Sequence, residues 1–317
     1  MHALVALLLG LLLVPSQAFD LQSHRGTRGL RPENTLAAFQ HALELGVTTL
    51  EMDIAITADG VPVISHEPAL NPVLTRDASG QWIKAPGPLI KTLTLAQLKT
   101  FDIGRVDPSS PYGRQLTQQE PHDGERFPTL AEVFKLVKDY GAEDVHFDME
   151  TKVFPDRPNA TLSPEAFVQT LLPVIRAAGM TQRVMIQSFD WRTLQLIHRL
   201  EPGMDTVYLT IETRSSNNVR EPTWTAGMLW RDYASTAHMV KASGGTIWSP
   251  EFGVLDAASV KAAQQLGLKV IPWTVNNPGD MDRLIAWGVD GIISDYPDRL
   301  REAMRRAGLP LPRAYKR

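Results

Sequence analysis

Cysteine is absent from this 317-residue chain, and neither sign of charge dominates, because 32 lysines and arginines face 35 acidic residues. The formal net charge of −3 gives no electrostatic basis for binding nucleic acid or an anionic membrane surface. We therefore predict a small-molecule partner, with any attraction by charge confined to its binding site. A chain of this length can bury a core that needs no disulfide bonds, and nothing in it specifies an oligomeric state.

Signature motifs of several other enzyme classes are also missing. The chain has no H-E-x-x-H segment, no cysteine cluster and no G-x-S-x-G turn, so none of the corresponding chemistries is indicated. It also lacks a Walker-type loop and a G-x-G-x-x-G loop, and nucleotide binding therefore has no support in the sequence.

A long hydrophobic run occurs only at the amino terminus, where Ala3–Val14 is apolar and rich in leucine. Pro15 ends the run, and the following Ser16-Gln17-Ala18 resembles an A-x-A cleavage site. This pattern predicts a secretory signal over residues 1–18, and hence a periplasmic or secreted protein. The alternative, an uncleaved anchor, is disfavoured because the run is too short to span a bilayer. No other stretch is typical of a membrane span, so we predict no stable membrane insertion.

After this signal, short apolar runs alternate with segments of helical periodicity. Strands are predicted at Phe19–His24, Leu50–Ile56, Val61–Ser65, Asp144–Met149, Val184–Gln187, Thr206–Thr210, Thr246–Trp248, Lys269–Thr274 and Gly291–Ile293. Helices are predicted at Asn34–Leu45, Leu130–Tyr140, Pro164–Ala178, Trp191–Leu200, Ala234–Ala242, Ala257–Leu266, Pro278–Trp287 and Pro297–Ala307. Either Asn34 or Thr35 is expected to cap the first of them. Eight of the strands lead into helices, so residues 19–317 are predicted to form a single α/β domain, a (β/α)8 TIM barrel.

Between residues 68 and 127 the alternation weakens, and the segment is rich in Pro, Gly, Asp and Gln. One short helix is predicted there, at Leu95–Phe101. We interpret this segment as an insertion that caps the site, with Trp82 and Tyr112 as candidates for setting specificity.

Acidic side chains stand where a barrel of this kind places its catalytic residues, at the carboxyl ends of strands. Glu51 and Asp53 are two residues apart on the second strand, so both side chains point into the barrel, and Glu150 ends the third of the barrel strands. Neighbouring buried acids repel one another unless a cation lies between them. Oxygen ligands favour Ca²⁺ or Mg²⁺, so the sequence predicts a site for a hard divalent cation.

Basic and titratable side chains accompany these acids. Together with the cation, Arg25 and Lys152 could hold a phosphate and neutralise the charge that develops during a displacement. His24 and His66 could serve as general acid and base, in either order, because imidazole titrates near neutral pH. The combination predicts cleavage of a phosphodiester.

Three further positions have competing interpretations. Gln187 either lines the pocket or ties strands together, and Trp273 either lines the pocket or packs in the core. The run Ser294-Asp295-Tyr296-Pro297 is best explained as a turn and helix cap.

Seven motifs resemble, in order and spacing, those of the glycerophosphodiester phosphodiesterase family. They are H-R-G at 24–26, P-E-N-T at 32–35, E-x-D at 51–53, D-G-x-P-V-x-x-H at 59–66, E-x-K at 150–152, Q-S-F at 187–189, and the closing W-T-V-N at 273–276 with G-V-D-G-I-I-S-D-Y-P at 288–297. The resemblance covers nearly all of the chain after the signal. It implies a barrel with an inserted segment, and hydrolysis of glycerophosphodiesters such as glycerophosphocholine or glycerophosphoethanolamine to glycerol 3-phosphate and an alcohol.

The resemblance also implies roles for individual residues. Those roles are metal ligands for Glu51, Asp53 and Glu150, acid–base catalysis for His24 and His66, phosphate binding for Arg25 and Lys152, shaping of the site near the metal for Glu33 and Asn34, and contact with the glycerol moiety for Trp273. One departure is Glu67, since the family usually has Asp after its second histidine. The longer side chain keeps the charge but puts its geometry against His66 in question.

Two alternatives stay open beside the hydrolase. One is a phospholipase D-like lyase that releases a cyclic phosphate, although the tail typical of such relatives is not found in Leu309–Arg317. The other is a non-catalytic polyol-phosphate binding protein, although this chain retains every expected histidine and acid. An exported protein meets more Ca²⁺ than a cytosolic one, so we expect Ca²⁺ rather than Mg²⁺.

Overall fold

The computed structural model describes residues 18–316. The predicted secretory signal lies outside the described residues apart from Ala18. None of the helices within 18–316 has both the length and the apolar character that crossing a membrane requires.

Eight parallel strands form the centre of this part of the molecule. In chain order the strands are β1 (Asp20–Ser23), β2 (Thr49–Ile56), β3 (Pro62–Ile64), β4 (His146–Thr151), β5 (Val184–Ser188), β6 (Asp205–Thr210), β7 (Ile247–Pro250), β8 (Lys269–Val270) and β9 (Gly291–Ser294). The parallel strands are hydrogen-bonded in the order β8-β7-β6-β5-β4-β2-β1-β9, and the short β3 pairs antiparallel with β2.

The two ends of this sheet meet through backbone hydrogen bonds. Asp290 N lies 2.9 Å from Val270 O, Ile293 N lies 3.0 Å from Pro272 O, and Val275 N lies 3.0 Å from Ile293 O. These bonds join β9 to the segment that begins with β8, so the strands form the predicted barrel. The predicted strand Lys269–Thr274 is shorter in the structure because Pro272 has no N–H to donate to a ladder.

Helices surround the barrel and are separated from it by a continuous apolar core. They are α1 (Leu36–Leu45), α3 (Leu130–Asp139), α4 (Pro164–Ala177), α5 (Trp191–Leu200), α6 (Thr236–Ala242), α7 (Ala257–Gln265), α8 (Pro278–Ala286) and α9 (Pro297–Arg306), whereas α2 (Leu95–Leu98) lies in the segment between β3 and α3. Of the two predicted caps of α1, Thr35 is confirmed and Asn34 lies before the helix. Asn34 has a left-handed backbone (φ 57°), and the side chain of Thr35 caps the helix by accepting from Ala38 N.

Residues 65–129 connect β3 to α3 and contain only α2 and two single turns of 3-10 helix. This segment has a small core of its own against β2 and β3, formed by Ala55, Val63, Leu70, Ile90, Leu98, Ile103 and Phe127. The segment is therefore ordered by packing rather than by regular secondary structure, and it lies against the edge of the barrel where the catalytic candidates are found.

The inside of the barrel is divided between two kinds of side chain. The β5–β9 side contributes an apolar cluster of Met185, Val207, Ile247, Ile271 and Ile293. The acids of the predicted metal site lie on β2 and β4. The polar chemistry is therefore concentrated on one side of the barrel.

Candidate active site

Three carboxylates meet at the carboxyl end of β2 and β4. Asp53 is the register partner of Glu150, and Glu51 stands two residues before Asp53 on the same strand. One oxygen from each of the three lies within 4.8 Å of the others, and the residues are only 2%, 1% and 7% exposed in chain order. The two-residue spacing on β2 has the predicted consequence, since both side chains point to the same side of the sheet.

The pKa values of the three acids indicate that the neighbouring positive charges are too few to ionise all three. Burial, followed by repulsion from Asp53, raises the pKa of Glu51 well above its usual range. Burial likewise raises the pKa of Glu150 to about 7, against the attraction of Lys152. The pKa of Asp53 is lowered despite its burial, because the charge of His66 when protonated and the charges of Lys152 and Arg25 favour its ionised form. A divalent cation among these oxygens would remove the cost of ionising all three, so the residues fit the predicted metal.

Two amides complete the surroundings of the carboxylates. Gln187 donates from Nε2 to Glu51 Oε1 at 2.6 Å, and Asn34 donates from Nδ2 to Asp53 Oδ2 at 2.9 Å. The oxygen of each amide is buried without a hydrogen-bond partner in the described part of the chain. A buried acceptor left unpaired costs about 1–3 kcal/mol, so both oxygens indicate a ligand or water in the cluster.

Arg25 and Lys152 are the two cations beside the acids. Arg25 Nη1 donates to Glu33 Oε1 at 2.7 Å, its Nε lies 3.3 Å from Asp53, and its backbone N–H donates to Glu51 at 2.7 Å. Lys152 Nζ lies 2.8 Å from Glu150 and 3.6 Å from Asp53, and the lysine is 4% exposed. Lys152 is therefore buried among the acids rather than exposed at the end of a strand.

The backbone at Arg25 is left-handed, with φ of 49°. A non-glycine residue in this region costs about 1–3 kcal/mol and is found where the surroundings enforce it. Here the turn brings both the backbone N–H and the guanidinium of one residue onto the acidic cluster.

His24 follows β1 directly and contacts the residue that follows β9. Its Nδ1 lies 2.6 Å from Asp295 Oδ1, while Asp295 Oδ2 accepts from Arg28 Nη1 at 2.8 Å and from Asn276 Nδ2 at 2.7 Å. Burial opposes ionisation of Asp295, but its interactions with His24, then with Arg28 and Asn276, hold the pKa of its carboxyl well below the usual range. Burial lowers the pKa of His24, against the attraction of Asp295. The carboxylate therefore fixes the imidazole with its Nε2 free for chemistry.

Sequence reasoning assigned Ser294-Asp295-Tyr296-Pro297 to a turn and helix cap, and this interpretation is incomplete. Pro297 does begin α9, but Tyr296 is the cap residue and its side chain makes no capping bond. Asp295 binds His24 instead. The available signal was its position directly after a barrel strand, the same rule that selected Glu150.

His66 lies on the other side of the acids, in the loop after β3. Its Nδ1 is 2.9 Å from Glu67 Oε1, so the longer side chain in place of the family's Asp does reach the imidazole. Burial lowers the pKa of His66 to about 4, helped by the charges of Arg25 and Lys152. The hydrogen bond to His66 in turn lowers the pKa of Glu67 to about 2.

Two cavities meet at this site and share Arg25 and His66 as lining residues. The inner cavity, of about 380 Å³, reaches the metal cluster and is lined by His24, Arg25, Glu51, His66, Glu150, Gln187, Phe189 and Trp273, among others. Trp273 packs edge-on against Phe189 at 5.4 Å and donates from Nε1 to Ser249 O at 2.9 Å. Gln187 and Trp273 therefore both line the pocket and hydrogen-bond to residues of other strands, Glu51 on β2 and Ser249 on β7.

The outer cavity, of about 730 Å³, lies between the barrel and the 65–129 segment. Tyr112 of that segment lines it and bonds to Arg28 Nε at 2.8 Å and to the carboxylate of Glu33. Trp82, the other candidate in the segment, instead packs on the guanidinium of Arg76. Sequence reasoning missed Arg28, which lies between Glu33 and Asp295 in this network.

The structure thus brings together all eleven predicted site residues. Known proteins are similar to this chain over most of its length. The model of the glycerophosphoryl diester phosphodiesterase family matches residues 24–299. A glycerophosphodiester phosphodiesterase of Caldanaerobacter subterraneus subsp. tengcongensis is 30% identical over 286 residues, which cover 90% of this chain and 98% of that protein. One from Bacillus subtilis (strain 168) is 28% identical over 290 residues, covering 91% and 87%.

Solved structures show the same fold. A crystal structure of a candidate glycerophosphoryl diester phosphodiesterase from Silicibacter pomeroyi DSS-3 has 33% identity and a TM-score of 0.83, covering 93% of this chain and 95% of that one. An Oleispira antarctica phosphodiesterase, solved with its product sn-glycerol-3-phosphate, has 23% identity and a TM-score of 0.65, covering 90% and 96%. At that lower identity the second likeness supports the fold alone.

Proposed function

The chain belongs to the glycerophosphoryl diester phosphodiesterase family, and from this premise we propose how its residues divide the work of hydrolysis. The protein is an enzyme that hydrolyses glycerophosphodiesters to sn-glycerol 3-phosphate and an alcohol. The observation that carries the proposal is a cavity lined by both histidines, Arg25 and two acids of the Glu51–Asp53–Glu150 cluster, with Lys152 bound to that cluster.

Arg25 and Lys152 bind the phosphate in this proposal. Arg25 donates from Nη1 to Glu33, whereas its Nη2 has no hydrogen-bond partner among residues 18–316. The two N–H groups of Nη2 are therefore available to phosphate oxygens. Lys152 adds a compact positive charge, held 2.8 Å from Glu150. The two side chains together offset the charge that accumulates on the phosphoryl oxygens.

Glu51, Asp53 and Glu150 would hold a divalent cation. Among residues 18–316, two cations lie beside these three carboxylates, Lys152 at 2.8 Å from Glu150 and Arg25 at 3.3 Å from Asp53, and Arg25 is shared with Glu33. When bound, the cation supplies Lewis-acid stabilisation of the phosphoryl oxygens. We propose Ca²⁺ in preference to Mg²⁺, supported by the predicted export signal at residues 1–18, since an exported protein meets more Ca²⁺.

His24 and His66 divide the two proton transfers. One takes the proton of a water molecule as its oxygen bonds to phosphorus, and the other gives a proton to the alcohol oxygen as the second P–O bond breaks. Asp295 and Glu67 each engage Nδ1 of one ring, so both histidines present Nε2 to the substrate. Such transfers are worth about 10²- to 10⁴-fold each in rate.

Release of glycerol 3-phosphate from glycerophosphocholine tests the proposal. We expect release by the wild-type protein, its loss with EDTA, and its recovery more fully with Ca²⁺ than with Mg²⁺. The His24→Ala and His66→Ala variants should each lose at least about 10²-fold in kcat while binding the cation normally. Near-wild-type turnover in either variant would contradict the acid–base assignment, and a cyclic phosphate product would identify the lyase alternative.

A further inference from the structure

Beyond the phosphate site, the outer cavity has features of a substrate-binding surface. It shares Arg25 and His66 with the inner cavity, so a diester whose phosphate lies at Arg25 can extend one of its two ester groups into it. Much of its wall is apolar and comes from both sides, from Ile64 of the barrel and from Leu74, Val106 and Phe127 of the 65–129 segment.

Thr75 gives a second sign that this cavity takes a ligand. The residue lines the cavity and is 1% exposed, yet its hydroxyl has no hydrogen-bond partner in the described part of the chain. Buried hydroxyl groups are nearly always paired in native proteins. A ligand or a water in the cavity would satisfy this one.

The charges that line the outer cavity are nearly all balanced. Arg25 is paired with Glu33, and Arg28 is paired with both Glu33 and Asp295. Arg105 forms a two-point pair with Asp123, at 2.9 and 2.6 Å. These groups therefore present little net charge to a ligand.

Glu67 is the exception. Its partner is the imidazole of His66, which burial keeps neutral at neutral pH, and the bond uses only Oε1. Within residues 18–316, Oε2 has no hydrogen-bond partner, and the side chain is 41% exposed. An ionised carboxylate with a free oxygen thus lies in an otherwise balanced and largely apolar cavity, next to a catalytic histidine.

We propose that the outer cavity binds the alcohol moiety of the substrate and that Glu67 selects alcohols with a positive charge, such as choline or ethanolamine, over neutral ones such as glycerol. The inference rests on the proposed function and deepens it by naming the substrate class. A cationic group near Glu67 is attracted by the free carboxylate oxygen, and the apolar wall accepts the carbon atoms around the charge. A neutral polyol can donate a hydrogen bond to the carboxylate but gains no attraction between opposite charges, and its remaining hydroxyl groups would face a largely apolar wall.

The test separates selection from the positioning of His66. Loss of positioning slows every substrate equally, whereas loss of selection changes the ratio between substrates. We would measure kcat/KM on glycerophosphocholine and on glycerophosphoglycerol for wild type, Glu67→Gln and Glu67→Asp. Gln keeps the length and removes the charge, and Asp keeps the charge. Glu143→Gln, an exposed change just before β4 at the opposite end of the barrel, is the matched control.

We expect wild type to prefer glycerophosphocholine, and Glu67→Gln to lower the preference by about five- to tenfold. Glu67→Asp and the control should keep most of it. An unchanged ratio in Glu67→Gln, with both substrates slowed alike, would overturn the proposal and leave Glu67 as a positioning residue only.

Binding by calorimetry keeps the proposal independent of turnover. The Kd values of both diesters are measured in the His24→Ala background, with a divalent cation present, with and without Glu67→Gln. Tighter binding of glycerophosphocholine than of glycerophosphoglycerol, by a ratio that Glu67→Gln reduces, would support selection by Glu67. If hydrolysis were absent at the same time, that absence would count against the proposed function alone. Equal Kd values for the two diesters in the His24→Ala variant would overturn the selection.

Discussion

Nδ1 of His24 lies 2.6 Å from Oδ1 of Asp295, although 271 positions separate the two residues in the chain. They meet because β1 and β9 are neighbours in the barrel, and His24 N also donates to Ser294 O at 2.9 Å. Closure of the barrel therefore assembles the histidine with the carboxylate that orients it.

Replacing Asp295 with Asn tests this pair. The amide can neither stabilise a protonated imidazole nor fix its tautomer as a carboxylate does, so we expect kcat to fall by about 10²-fold or more. The measurement is steady-state turnover of glycerophosphocholine, with circular dichroism to confirm the fold. Asp282→Asn, which breaks an exposed ion pair with Arg306, should leave kcat unchanged. The His24→Ala/Asp295→Asn double variant should be no slower than His24→Ala, and additive losses would contradict a shared role.

Replacing Glu51 with Gln tests the metal cluster through stability rather than through activity. A cation that binds only the folded protein stabilises it, by about 2.7 kcal/mol at a hundredfold excess over Kd. We therefore expect added Ca²⁺ to raise the Tm of wild type and of the Glu143→Gln control, and to raise that of Glu51→Gln much less. An equal rise in all three proteins would place the cation elsewhere.

Replacing Lys152 with Met should have opposite effects on catalysis and on metal binding. The ammonium lies 2.8 Å from Glu150 and 3.6 Å from Asp53, so it competes with a cation for the same carboxylates. We expect kcat/KM to fall by at least about 10²-fold, since phosphate charge is no longer neutralised. Calorimetric titration should show tighter Ca²⁺ binding. Weaker Ca²⁺ binding would mean that Lys152 only supports the fold of the cluster.

The pH dependence of kcat/KM follows from the burial of the two histidines. A general base must be neutral, and a lowered pKa keeps imidazole neutral to lower pH. The pKa of His24 is lowered by burial, and that of His66 falls to about 4. Whichever histidine is the base, the acid limb of the profile should lie below pH 6.5, and a bound cation would move it lower still. A limb at or above pH 6.5 would show that neither lowered pKa governs the free enzyme.

The barrel could be predicted from local sequence pattern because its elements are short and regular. Apolar runs of strand length alternate with helical periodicity, and polar residues such as Glu150 directly follow or end strands. The errors fall where local geometry departs from the pattern. Asn34 adopts φ of 57° rather than a helical conformation, and β8 ends at Val270 because Pro272 has no N–H to donate.

The amino-acid sequence by itself determined the fold class and the residues of the metal cluster, because strand periodicity dictates that Glu51 and Asp53 point to the same side. Only the tertiary structure decided which side chains act on one another across the chain. From the sequence, Asp295 is assigned to a helix cap, and its contact with His24 forms only because β1 and β9 are neighbours. Glu67 is expected beside His66, but only the folded 65–129 segment places its free oxygen in a cavity. Both relationships depend on contacts between distant segments, and these form only when the barrel closes and the segment packs against it.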